Sequence, residues 1–251
     1  MNSDLGVVIL AAGLGTRMKS DKAKVLHEIC DLPMIHYVAR TAVELAGPNV
    51  VVVIGHQAEL VRQAVKRVGK TCFAVQQQQL GTGHAVLCAM PALPEGIKDV
   101  VILCGDVPLI SKATLDHLVA DHTSHQRDVT LLAVKVPDAK GYGRILLNAE
   151  GRLTAIVEEA DANEAQKKID IINSGIYVVK RSFLEDVLPR LGTNNAQKEI
   201  YLTDIIGIGY SENKMMGAVL GDDSNEIIGV NSRADLQRAE AVMKLRIIEK
   251  T

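Results

Sequence analysis

Val7-Val8-Ile9-Leu10-Ala11-Ala12-Gly13-Leu14-Gly15-Thr16-Arg17-Met18 runs from four aliphatic residues into a glycine-rich turn closed by an arginine. An uninterrupted apolar run of this kind reads as a strand buried on both faces, the type that fills a parallel sheet. Small side chains at Ala11, Ala12 and Gly13 let backbone N–H groups approach a ligand. Gly13 and Gly15 can take φ values closed to other residues. Successive N–H groups in such a turn form an anion nest, and Arg17 adds a fixed guanidinium fork suited to phosphate. The alternative is a tight turn without a ligand, because glycine pairs are common in turns. Neither familiar glycine fingerprint is present. A Walker loop would need Gly-Lys-Ser/Thr where Gly15-Thr16-Arg17 stands, and a dinucleotide loop would need glycine at Met18.

Outward from this stretch, strands and helices alternate. Val50–Ile54, Cys72–Val75, Asp99–Cys104 and Val129–Val136 are strand runs. Helical spacing covers Pro33 to about Leu45, Ala58–Val68 with Gly69 as its stop, Gly83–Met90 and Lys112–His122. That alternation predicts an α/β fold, a mixed and mostly parallel sheet flanked by helices. The later part differs. Gly143–Leu147 and Leu153–Glu158 flank Asn148-Ala149-Glu150-Gly151 and predict a hairpin. Its end carries an acidic cluster, Glu158, Glu159 and Asp161. Ala162–Lys168 reads as a loop or short helix. Ile171–Val179 is a strand interrupted by Asn173-Ser174-Gly175, polar residues that suggest a pocket wall. Phe183–Leu191 and Leu202–Tyr210 are helical, Met215–Val219 is a strand, and Ser232 caps a last amphipathic helix through Leu236, Ala239, Met243 and Ile247.

Three further stretches carry chemistry or a bland equivalent. Lys19, Lys22 and Lys24 make either a solvated basic loop or, through Lys24, a second phosphate contact. Gln76-Gln77-Gln78-Gln79-Leu80-Gly81-Thr82 is a polar loop or a base-recognition segment, because amides supply both donors and acceptors; Thr82 is placed to cap the following helix. Asp106 follows a buried strand at the position where open α/β sheets bind ligands. It is a Mg²⁺ ligand beside phosphates, or it hydrogen-bonds only its own turn.

The composition excludes several classes. The chain has 251 residues, 47% of them hydrophobic, enough core for a single α/β domain. Aromatics are 3% and Trp is absent, which argues against stacking platforms for single-stranded nucleic acid. A net charge of −2 gives no basic field toward nucleic acid or membranes. Cys30, Cys72, Cys88 and Cys104 form no C-x-x-C pair and read as thiols in a reducing compartment. No signal peptide is expected, since Met1-Asn2-Ser3-Asp4 is polar and the first apolar run is short. No run has the length of a membrane span. The expected location is the cytoplasm.

Read in order, LAAGLGTRM (10–18) with Lys24-Val25-Leu26-His27 resembles the sugar-nucleotidyltransferase superfamily. QLGTGHA (79–85), GDVPLI (105–110), GYGRI (141–145), INSGIY (172–177), the run 197–204 and GVNSR (229–233) narrow the resemblance. Together they are similar to the uridylyltransferase domain of the bacterial bifunctional N-acetylglucosamine-1-phosphate uridylyltransferase/glucosamine-1-phosphate acetyltransferase family. The resemblance implies a Rossmann-like, GT-A-like fold and transfer of UMP from UTP to N-acetylglucosamine 1-phosphate with Mg²⁺, feeding cell-wall precursor synthesis. It implies Arg17 and Lys24 as catalytic contacts to the triphosphate. Leu10, Ala11, Ala12, Gly13, Gln76, Gln79, Gly81 and Thr82 are implied as the nucleotide site, Gly143, Glu158 and Asn173 as the sugar site, and Asp106 and Asn231 as the metal ligands. The expected organisation is one domain, 1–251, with a nucleotide-binding half (1–136), a sugar-binding half (137–231) and a C-terminal helix (232–251).

Two residues depart from the pattern. Ala23 stands before Lys24 where proline is common, which would loosen that loop. Cys104 stands two before Asp106, a small thiol open to alkylation. The acetyltransferase β-helix of the resembling family has no counterpart in these residues, so no acetyl transfer is expected; the expected state is a monomer, and a trimer if a C-terminal β-helix domain were attached. Two other readings remain: a nucleotidyltransferase for another sugar 1-phosphate or alcohol phosphate, and a non-catalytic nucleotide sensor.

Overall fold

A computed structural model describes residues 4–13, 15, 18, 20–227 and 229–249. The chain begins with β1 (Leu5–Ala11), followed by the two-residue pair β2 (Glu28–Ile29) and β3 (Leu32–Pro33). Next come α1 (Met34–Ala46), β4 (Val50–Ile54), α2 (Ala58–Lys66), β5 (Cys72–Val75), α3 (Thr82–Ala89) and β6 (Asp99–Cys104). After these lie α4 (Lys112–Ser124), β7 (Val129–Lys135), the hairpin β8 (Arg144–Leu147)/β9 (Leu153–Val157), and β10 (Ile171–Lys180). The chain closes with α5 (Arg181–Val187), α6 (Asp204–Ser211), β11 (Met216–Leu220) and α7 (Arg233–Ile248).

The aliphatic run in β1 is continuous because neighbours cover it on every side. Val7, Val8 and Ile9 have no exposed surface. β4 and β6 pair with β1 in parallel, with Val7 opposite Val50 on one side and Val101 on the other. Odd residues of β1 enter a core with α1, α2 and α4; Val8 enters a second core with α3, α5 and α6. Burying each such side chain contributes about 1.5–3 kcal/mol. The main path of the nine-stranded sheet is β11-β7-β10-β6-β1-β4-β5, with the β8/β9 hairpin attached to β10. The mixed, mostly parallel sheet between helices agrees with the alternation in the sequence. The four cysteines are free thiols. Among the described residues, no helix is long and apolar enough to cross a membrane.

Several expected boundaries move, each for a local reason. α2 stops at Lys66, and Val68 N–H turns back to the Val65 carbonyl at 2.8 Å, so Gly69 does not cap it. α5 gives way to a 3₁₀ turn over 188–190 at Pro189, whose nitrogen has no hydrogen to donate. Thr82 does not cap α3: Gly81 holds the cap position, and the Thr82 hydroxyl instead accepts from Leu202 N–H at 2.9 Å. Ser232 does cap α7, in a reciprocal box with Asp235. The apolar stripe of that helix holds only for its first turns, because Ala239 and Met243 are buried while Ile247 is 48% exposed. In the hairpin, the Asn148 side chain accepts from Glu150 and Arg152 N–H groups and sets the turn.

Candidate active site

Parallel β1, β4 and β6 end on the same side of the sheet, and the loops after them converge there. Gly105 N–H bonds the Leu10 carbonyl at 2.9 Å, locking the turn after β6 onto the end of β1. A side chain at Gly105 would meet that carbonyl at 3.0 Å. Asp106 is thereby set beside the glycine loop. Its backbone carbonyl accepts from Val230 N–H at 2.9 Å, which brings Asn231 from the far end of the chain to the same spot. The Asn231 amide nitrogen donates to the Gly229 carbonyl at 3.1 Å, so Oδ1 points the other way. Between these oxygens sits the Lys24 ammonium. It donates to Asp106 Oδ2 and, at 3.0 Å, to Asn231 Oδ1.

Lys24 is held by the glycine loop and by a clamp that the sequence did not reveal. Gly15 has φ 66°, and a Cβ there would lie 2.6 Å from Lys24 Cβ, so the loop and the lysine touch where only glycine fits. Gly13, by contrast, has open space around its α-carbon and no positive φ. The expected conformational need therefore applies to Gly15 and not to Gly13. Gln57 supplies the clamp. Its Oε1 accepts from Ala23 N–H at 2.8 Å and its Nε2 donates to the Asp21 carbonyl at 2.8 Å. A proline at position 23 would have no N–H to give. The expected loosening at Ala23 is thus met by a side chain that fastens the loop on both sides. Arg17 lies outside the described residues.

Leu10, Ala11, Ala12, Gly13, Lys24, Gln76, Gln79, Gly81, Thr82 and Asp106 all line one cavity of about 430 Å³. Its lining also includes Glu199, which stands in the run 197–204 but has no role implied by the resemblance. That part of the lining is pinned by Ile200, whose N–H bonds the Leu80 carbonyl at 2.7 Å and whose carbonyl accepts from Gly83 N–H at 2.8 Å.

Gly143, Glu158 and Asn173 form a second group next to the first. Asn173 N–H bonds the Gly143 carbonyl at 2.9 Å, and a Cβ on Gly143 would stand 3.4 Å from Glu158 Oε2. Burial pushes the Glu158 carboxyl up from its ordinary range, while the Thr203 hydroxyl, donating to Oε1 at 3.2 Å, pulls it back down. Thr203 was missed in the sequence. The signal was there in the hydroxyl-acid pair Thr203-Asp204, but nothing local says which carboxylate it meets. The acidic cluster divides its work: Glu158 faces inward, Glu159 pairs with Arg144 at 2.6 Å, and Asp161 accepts from Ala196 N–H at 2.8 Å.

Cys104 separates the two groups. Its thiol touches the Gly175 carbonyl, and a Cβ on Gly175 would lie 2.8 Å from the sulfur. Burial first, then the Asp106 carboxylate, pushes this thiol up to about 12. Alkylation requires thiolate, so the expected reactivity is suppressed.

Residues 7–171 match the family model of the MobA-like NTP transferase domain. Curated relatives named "Bifunctional protein GlmU" include that of Geotalea uraniireducens, 46% identical over 98% of this chain and 54% of the relative. The protein of Caldanaerobacter subterraneus is 48% identical over 98% of this chain and 53% of its own length. That of Desulfotalea psychrophila is 43% identical over 96% and 71%. The chain spans about half the length of most of the curated relatives it matches. In fold it resembles a Bacillus anthracis protein assigned as a glucose-1-phosphate thymidylyltransferase, with TM-score 0.72, 18% identity, and coverage of 95% of this chain and 94% of that one. HddC from Yersinia pseudotuberculosis gives TM-score 0.69 at 19% identity, covering 95% and 99%. Its fold, the motif order along the chain and the matched residues place this protein among the nucleotidyltransferases, as a member of the MobA-like NTP transferase family.

Proposed function

We propose that residues 1–251 act as one uridylyltransferase domain, transferring UMP from UTP to N-acetylglucosamine 1-phosphate. The observation that carries this reading is the meeting of Lys24, Asp106 and Asn231 on the wall of the cavity that also holds Gln76, Gln79, Gly81 and Thr82. The names of the curated relatives support the choice of reaction.

Asp106 and Asn231 both present oxygen to one point, and a lysine ammonium already stands there as a cation. Such a donor set suits a hard divalent ion, Mg²⁺ in this reading. Among the described residues no three His, Cys, Asp or Glu side chains converge. The site therefore suits an ion that shares its ligands with substrate phosphates. A bound ion would neutralise charge on the triphosphate.

The residues position the reactants. A phosphate oxygen of the sugar 1-phosphate forms a bond to the α-phosphorus of UTP. The bond from that phosphorus to the bridging oxygen breaks, and its electron pair leaves with pyrophosphate. A sugar phosphate is ionised near neutral pH, so the protein supplies placement and positive charge, not a base. Lys24 and Arg17 serve that charge. Gln76 and Gln79 read the base, and Glu158 with Asn173 binds the amino sugar.

Pyrophosphate release, measured with UTP across a panel of sugar 1-phosphates and Mg²⁺, is expected to be fastest with N-acetylglucosamine 1-phosphate. No release with that substrate would overturn the reading in favour of another nucleotidyl transfer or of a nucleotide sensor.

Thr203 gives a second test. Its hydroxyl favours the charged form of Glu158, whose carboxyl burial holds above the ordinary value. As pH falls through that raised value, the carboxylate protonates and loses acceptor capacity toward the sugar. The Thr203→Val variant removes the donor, so the acid-side rise in KM for the sugar phosphate is expected to begin at higher pH. KM for UTP should stay level. Coincident sugar KM profiles for the variant and the wild type would argue against a sugar contact at Glu158.

A further inference from the structure

We infer that His84 is a specificity-determining residue: it holds the Gln76 amide in the orientation that reads uracil and rejects cytosine. The inference rests on the uridylyltransferase reading above.

Gln76 is 3% exposed, yet it lines the nucleotide cavity. Its backbone N–H bonds the Ile54 carbonyl at 2.9 Å, which fixes where the side chain starts. Nε2 lies 3.0 Å from the Gly81 carbonyl and 3.1 Å from His84 Nδ1. A carbonyl only accepts, so the amide must turn its NH₂ end toward Gly81. The second hydrogen of that NH₂ then meets His84 Nδ1, which must also accept. The imidazole is therefore neutral with its hydrogen on Nε2, the nitrogen that lies 3.7 Å from Cys88 Sγ.

Both donors of Gln76 are spent on the protein. Among the described residues no donor is bonded to Oε1, and this oxygen is the end of the amide left for the cavity. Uracil carries N3–H, a donor that such an oxygen accepts; cytosine carries a bare N3, which it repels. Reversing the amide would set Oε1 against the Gly81 carbonyl and, with the ring hydrogen kept on Nε2 beside Cys88 Sγ, against the Nδ1 lone pair as well. His84 thus acts through Gln76, two steps from the base, and touches no reacting atom.

The ratio of kcat/KM for UTP to that for CTP tests this. In His84→Leu the ratio is expected to fall roughly five- to tenfold, the worth of one neutral hydrogen bond. In His84→Asn, with Oδ1 near the position of Nδ1, most of the ratio should return. KM for the sugar phosphate should be unchanged in both. A wild-type ratio in His84→Leu, with pyrophosphate release intact, would overturn the role of His84 and leave the uridylyltransferase reading standing. Failure of the wild type to prefer UTP would remove both. Nitrogen-15 NMR of the wild-type imidazole is independent of any variant. A neutral ring with Nε2–H is expected, and a ring carrying hydrogen on Nδ1 would overturn the inference.

Discussion

Asp106→Ala is expected to lower pyrophosphate release about a hundred- to a thousandfold, the scale on which removing one preorganised electrostatic group at a reacting centre acts. The loss should fall on turnover more than on folding. The backbone carbonyl of Asp106 holds Val230 N–H whatever the side chain is, so the Asn231 segment stays docked. Lys24 keeps its bond to Asn231 Oδ1 at 3.0 Å. What disappears is the carboxylate, and with it the one formal negative charge that the Lys24 ammonium meets in the Lys24–Asp106–Asn231 cluster. The two side chains are only 18% and 19% exposed, but Lys24 keeps its bond to Asn231, so the loss should cost the fold about 1.5–2 kcal/mol. Thermal melting within a few degrees of the wild type, beside a collapse in pyrophosphate release, is the expected pair of results. Near-normal turnover would remove Asp106 from the proposed metal site.

The second large effect is expected at Gly81, and it is structural. Its backbone has φ 116° and ψ 177°, a region essentially reserved for glycine. A Cβ there would lie 2.5 Å from the Ile200 carbonyl oxygen and 2.7 Å from the Ile200 nitrogen. Neither atom can give way, because Ile200 is bonded through its N–H to Leu80 and through its carbonyl to Gly83. Strain of about 1–3 kcal/mol for the backbone therefore adds to the clash. Gly81→Ala is expected to lose at least about 3 kcal/mol, a fall in Tm of roughly 6–12 °C for a chain of this size. The wall carrying Glu199 would also part from the wall carrying Gln76, so KM for UTP should rise in the same variant. A melting curve superimposable on the wild type would show that the Leu80–Ile200 seam is not as firm as its hydrogen bonds imply.

What was legible in the sequence follows from what local pattern can encode. The aliphatic runs at Val7, Val50 and Val100 mark strands because each is covered on both faces, and burial leaves a compositional trace. Lys24, Asp106 and Asn231 stand in motifs whose order along the chain survives, and the fold brings them within bonding distance. The hydrogen-bond partners were not legible. Gln57, Thr82, His84 and Thr203 each meet a group from another part of the fold or from the next turn of structure. An amide or hydroxyl in a sequence says nothing of which group it will find. The direction of β10 was hidden for a similar reason. Alternating strands and helices give parallel neighbours, but β10 enters antiparallel, with a bulge between Asn173 and Tyr177 where the Ser174 hydroxyl donates to the Leu132 carbonyl at 2.7 Å and Asn173 Oδ1 accepts from Gly175 N–H at 3.0 Å.

That strand has a consequence for how the molecule is made. β6 and β7 follow one another in the chain but do not pair. The slot between them stays empty until residues 171–180 arrive, when Tyr177 settles between Ile102 and Leu131. Contacts that close over such separations form slowly. Until then two aliphatic strand edges stand open side by side, each a template for a neighbouring chain. The stretch matched by the family model ends at residue 171, where this strand begins. A polypeptide cut there would keep the glycine-rich loop and Asp106 and still lack the piece that seals its own sheet. During synthesis, solubility thus hangs on ten residues of β10 that come after most of the residues lining the cavity.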